Sequence, residues 1–148
     1  MRVPKIMSVA ALLIALASLG GAQTPRTAIN LPRGELANIP LSDAILVGNT
    51  LYLSGGGGID TKTMKAPADP KDEAKLLMEG VKAKLEKAGM TMNNLVSVTI
   101  YCSDLSLYAT FNAVYQSYFT KDFPARAFIG SAPLLFGMHF ELQGIAVK

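Results

Sequence analysis

Between Asp69 and Gly89 the apolar residues Ala74, Leu77, Met78, Val81, Leu85 and Ala88 recur at spacings of three and four. That period builds a helix with a single apolar stripe. Asp69 before Pro70 marks its start and Gly89 its stop. Its other face carries Lys71, Lys75, Lys82, Lys84 and Lys87 among Glu73, Glu79 and Glu86, and it reads as solvated rather than as an RNA patch. A one-sided helix must bury its stripe against something, and the neighbouring segments are short and β-rich. Ser42–Val47 and Thr50–Ser54 flank a Gly48-Asn49 turn and read as a hairpin. Leu95–Tyr101 alternates as a strand. A second helix starts at Asp104 or Ser106, with Leu107, Phe111, Val114, Tyr115 and Tyr118 on its apolar side. Ala125–Ile129 and Met138–Val147 complete the strands. The order ββαβαββ predicts an α+β two-layer sandwich, a mixed β-sheet with two helices on one face.

The first 22 residues stand apart from this pattern. Arg2 and Lys5 precede a 13-residue apolar run, Met7–Leu19, and Gly20-Gly21-Ala22 supplies small residues. This is the layout of an export signal cleaved near Ala22, and the run is shorter than the roughly 20 residues of a membrane anchor. The expected location is periplasmic or secreted, with no stable membrane anchor. Residues 23–38 read as an extended lead-in and residues 39–148 as the folded domain.

Removing the two basic residues of the signal from the chain's 14 leaves 12 against 11 acidic side chains, a net charge of +1. Nucleic-acid binders draw affinity from a marked cationic excess, so no nucleic-acid partner is expected. One Cys and one His cannot assemble a Cys/His zinc site within one chain, and neither a metal nor a cofactor is expected. Cys102 reads as a packed thiol rather than a nucleophile, and His139 as a surface or interface residue. Gly55–Gly58 lacks the Gly-Lys-Ser/Thr ending of a phosphate loop.

Several strings in register point to a family. Val47-Gly48-Asn49-Thr50-Leu51-Tyr52-Leu53-Ser54-Gly55, Val98-Thr99-Ile100-Tyr101 with Asp104-Leu105, Phe111-Asn112-Ala113-Val114-Tyr115, Phe123-Pro124-Ala125-Arg126, and Phe140-Glu141-Leu142 through Ile145-Ala146-Val147 together resemble the RidA (YjgF) family of enamine/imine deaminases over residues 39–148. The resemblance implies a homotrimer with clefts between subunits. It implies that Arg126 holds a substrate carboxylate and that Glu141 positions the hydrolytic water. Ser54, Gly55, Asn112 and the Ala127-Phe128 pair after the arginine would line the cleft.

The chemistry suits these residue types. Arg grips a carboxylate through two parallel charge-assisted bonds at any physiological pH. A carboxylate within reach of a water can orient it for attack on a C=N carbon and take its proton. Taken without the family, Arg126 and Glu141 could equally be a structural ion pair, since a lone carboxylate among apolar strand neighbours needs a partner.

The chain departs from the family pattern at Leu41, where a tyrosine is usual, at Phe128 for a cysteine, at Gly56–Gly58 for a Gln-hydrophobic-Pro run, and at Gln143 for an acid. These changes predict a more apolar cleft whose four glycines leave exposed N–H groups or a mobile rim. Three functions are therefore weighed: an imine deaminase, a non-catalytic carboxylate-binding or chaperone-like trimer, and, least favoured by the charge, an endoribonuclease. An exported deaminase also needs a source of imino acids outside the cytoplasm.

Overall fold

The computed structural model describes residues 24–32, 34, 38–120 and 122–148. The reading of residues 1–22 as an export signal lies outside them. Six strands form one sheet: β1 (Arg26–Ile29), β2 (Ala44–Val47), β3 (Thr50–Gly57), β4 (Leu95–Cys102), β5 (Ala125–Gly130) and β6 (Phe140–Val147). They lie in the order β1-β2-β3-β6-β4-β5. Only β4 and β5 run parallel, joined by a crossover that contains helix α2 (Tyr108–Tyr115). Helix α1 (Pro70–Lys87) links β3 to β4. The predicted two-layer α+β class is the observed one, with an additional strand at the edge.

That strand corrects the reading of residues 23–38 as a lead-in outside the fold. Arg26–Ile29 pairs antiparallel with β2, and Ile29 is buried in the core.

Local chemistry explains the rest of the layout. Gly48 takes φ +58° at the first central position of the β2–β3 turn, which suits a two-residue II′ hairpin. At α1, the Asp69 side chain accepts from the Lys71 N–H at 2.8 Å, and Pro70 needs no partner for the N–H it lacks. Gly89 at φ +70° ends the helix in a Schellman motif, donating to the Glu86 carbonyl while Met90 donates to Leu85. Asp104 caps a short 3₁₀ turn, Leu105–Leu107, that leads into α2.

Both helices cover the same face of the sheet. Leu77, Met78, Val81 and Leu85 of α1 and Phe111 of α2 bury against Leu51, Leu53, Val98, Ile100, Phe140 and Leu142. Each fully buried side chain of this kind contributes about 1.5–3 kcal/mol. The other face is not covered by any element among the described residues, and Tyr52 and Ile129 on it are exposed.

Two readings need correction where α1 meets the sheet. Glu73, placed on the solvated face, has no exposed surface. Its carboxylate accepts from the backbone N–H of His139 at 2.7 Å and of Phe140 at 2.9 Å, and lies 2.7 Å from His139 Nδ1. His139 is therefore tied to α1 rather than being a simple surface residue. The second correction concerns Gly55–Gly57, which belong to β3 and are not a mobile rim. A Cβ would lie 2.1 Å from a Glu141 carboxylate oxygen at Gly55, 2.8 Å from Lys84 Nζ at Gly56, 2.0 Å from the Met138 sulfur at Gly57 and 2.1 Å from the Glu73 carbonyl at Gly58. The glycine run exists because helix and side chains press onto the strand from both sides.

Candidate active site

Arg126 sits on the edge strand β5, opposite Val98 of β4. Val98 is buried beneath the helices, so the arginine shares their face. Its Nη1 donates to Asn112 Oδ1 at 2.7 Å, and its Nη2 lies 3.4 Å from the Tyr108 hydroxyl. Three rings surround the guanidinium, with centroids 4.8 Å away at Tyr115 and 5.8 Å away at Tyr108 and Phe128. Rings with a negative face stabilise the cation without neutralising it. A recess of about 280 Å³ opens beside it, lined by Asn112, Tyr115, Gln116, Phe123, Pro124 and Arg126.

No carboxylate pairs with Arg126 among the described residues. Within one chain Arg126 and Glu141 therefore form no ion pair. Glu141 stands opposite Tyr101 of β4 and Gly57 of β3. Tyr101 and Val98 are three residues apart on one strand and so point to opposite faces. Glu141 is consequently on the uncovered face, half-buried, with its carboxylate over Gly55.

The predicted site residues divide into two groups. Asn112, Arg126 and Phe128 meet on the helix face. Glu141 and Gly55 meet on the open face near the end of β3, where the Ser54 hydroxyl donates to the Asp43 carbonyl at 2.9 Å. Leu41 is exposed two residues before Asp43, and Ala127 is exposed on the open face of β5 beside Thr99. Phe128 does not simply add apolar surface. It packs edge-on with Tyr108 at 4.9 Å and Phe111 at 5.6 Å, underneath the guanidinium.

Sequence reasoning missed Tyr108 and treated Tyr115 only as apolar. Burial pushes the Tyr115 pKa up to about 12, and its hydroxyl has no hydrogen-bond partner among the described residues. Cys102 is buried and donates to the Asp104 carbonyl at 3.0 Å, and burial raises its pKa. Both features suit a packed thiol.

Comparisons with known proteins show the family and the fold. The model of the endoribonuclease L-PSP family matches residues 34–148. The chain belongs to the RidA (YjgF, L-PSP) family. Within that family it is 38% identical over 110 residues to a RutC family protein of Pyrococcus abyssi, covering 74% of this chain and 87% of the relative. It is 34% identical over 112 residues to the 2-iminobutanoate/2-iminopropanoate deaminase of Escherichia coli K12, covering 74% and 88%. A solved RidA-family fold, Escherichia coli TdcF with bound serine, superposes with a TM-score of 0.76 at 30% identity, covering 82% of this chain and 98% of that one.

Proposed function

We propose that this protein hydrolyses the C=N bond of small 2-imino acids, releasing ammonia and a 2-keto acid, in clefts shared between copies of the chain. The observation that carries the reading is Arg126, a guanidinium held by neutral partners and left with donors for an external carboxylate. The deaminase name of a relative and the serine bound to a similar fold support a small carboxylate as ligand.

The reaction needs little beyond placement. Arg126 fixes the carboxylate, so the adjacent imine carbon stands at a set distance from the guanidinium. Water adds to that carbon while its proton passes to Glu141. That carboxyl passes the proton on to the nitrogen, giving the amino alcohol; Glu141 then takes the hydroxyl proton and delivers it to the nitrogen as the C=O bond forms, the C–N bond breaks and ammonia leaves. Arg126 and Glu141 face opposite sides of one sheet, so a single chain does not offer both to one small ligand. A second copy, docked through the open face and the unpaired edge of β5, would supply the missing half. A homotrimer of the kind the family resemblance implies meets that need. The export signal read in residues 1–22 places this chemistry outside the cytoplasm in our account.

A second reading is a non-catalytic carboxylate-binding trimer. It is favoured by the commitment of the Ser54 hydroxyl to the Asp43 carbonyl and by the apolar Leu41. The deciding experiment couples an L-amino-acid oxidase, which generates 2-imino acids, to the purified protein beside an Arg126→Ala control. Faster keto-acid release with the native protein alone supports the deaminase. Carboxylate binding without acceleration supports the second reading.

A further inference from the structure

Tyr108 opens α2 beside Arg126 and is 47% exposed. Its ring stands edge-on to Phe128, with interplanar angle 85°, and this contact fixes where the hydroxyl lies. The hydroxyl is 3.4 Å from Arg126 Nη2, at the long end for such a bond. A guanidinium has no acceptor, so in this contact the phenol oxygen can only accept. Its own proton is therefore uncommitted among the described residues, and the exposed ring leaves it facing outward. Asn112 draws a different nitrogen, Nη1, so the two neighbours do not compete for one N–H.

We propose that Tyr108 is a specificity-determining residue of the carboxylate site, its phenol accepting from Arg126 and donating its proton to the carboxylate that Arg126 holds. The proposal rests on the reading that Arg126 binds a substrate carboxylate. Donation from the guanidinium polarises the phenol and makes it a better donor. Two donors of fixed geometry then converge on one anion, a pairing that an amide or ester, carrying no charge, satisfies less well. The contact exists in the ground state and does not touch the reacting carbon, so its energy appears in binding and not in turnover.

The test is Tyr108→Phe, which keeps the ring against Phe128 and removes only the oxygen. In the oxidase-coupled assay with 2-imino acids from alanine and 2-aminobutyrate, the variant should raise KM about tenfold, the worth of one hydrogen bond to a charged group, with kcat within about twofold of native. Kinetics indistinguishable from native, or a fall in kcat at unchanged KM, would overturn the role for Tyr108 and leave the deaminase reading standing. If the native protein accelerates nothing, that reading fails by itself, and NMR titration of native and variant with pyruvate decides the proposal. About tenfold weaker pyruvate binding by the variant upholds it, whereas equal affinity, or no binding by either protein, overturns it.

Discussion

Arg126 and Glu141 point away from one another, the first toward the helices from β5 and the second toward the uncovered face from β6. Each is completed locally by groups that suit its task. The guanidinium has Asn112 and three aromatic rings, and the carboxylate has Gly55, whose missing side chain leaves room for it. Hydrolysis at one ligand requires these halves to meet across a subunit boundary.

Asn112 aims the guanidinium and is expected to act through it. Asn112→Ala should raise KM for 2-imino acids about tenfold, because the lost bond is to a charged group, while the fold is kept. Steady-state kinetics and circular dichroism check this together. An unchanged KM would mean that the aromatic frame alone orients Arg126.

Gly58 and Gly80 should respond oppositely to alanine. At Gly58 a Cβ would strike the Glu73 backbone carbonyl at 2.1 Å, and backbone cannot yield cheaply, so Gly58→Ala should cost about 3 kcal/mol. At Gly80, inside α1, a Cβ meets nothing within 4 Å, so Gly80→Ala should add about 0.5–1 kcal/mol. Chemical denaturation of both variants reads the two signs.

Glu73 ties the first turn of α1 to the start of β6. Glu73→Ala would leave the buried backbone N–H of Phe140 and the part-buried N–H of His139 without their acceptor, at a cost of about 3 kcal/mol. Glu73→Gln retains an acceptor oxygen and should lose less than half of that. Denaturation midpoints of the two variants, compared with native, test the order.

Tyr115 should tolerate loss of its hydroxyl. That oxygen is buried without a partner among the described residues, so Tyr115→Phe should be neutral or stabilising by about 1 kcal/mol while keeping the ring beneath Arg126. There is a pH signature as well. The folded pKa of about 12 lies above the ordinary value of 10, so the folded state holds the proton more tightly than the unfolded chain. Its contribution is complete below pH 10 and is lost as pH rises toward 12. Native stability should fall across that window, and the variant should show a smaller fall.

The sequence made α1 legible because period, N-cap, proline and terminal glycine agree on one element. It did not reveal β1, whose four residues, Arg26–Ile29, are too few to establish alternation. Glu73 looked solvated because it lies among lysines on the chain, whereas its burial depends on β6 arriving from 66 residues away. Arg126 and Glu141 were both found through the family strings, but their separation onto two faces follows from register. The alternation of Glu141 with buried Phe140 and Leu142 already hinted at its outward direction. Arg126 carried no such hint, because its direct neighbours on β5 are Ala125 and Ala127, and its face of the strand is only half-buried. Tyr108 and Tyr115 share a helix face at a spacing of seven, but Phe128 joins them only through the β4–α2–β5 crossover, which no local spacing encodes.

The most direct test of a shared site is complementation between two inactive chains. Arg126→Ala and Glu141→Gln, carried on different affinity tags, are co-expressed, and mixed oligomers are isolated by tandem purification. If each cleft takes its arginine from one chain and its carboxylate from the neighbour, one of the three clefts in every mixed trimer regains both groups, and deaminase activity returns to roughly a third of native. Mixed oligomers as inactive as either parent, with native assembly verified by mass spectrometry, would contradict the account.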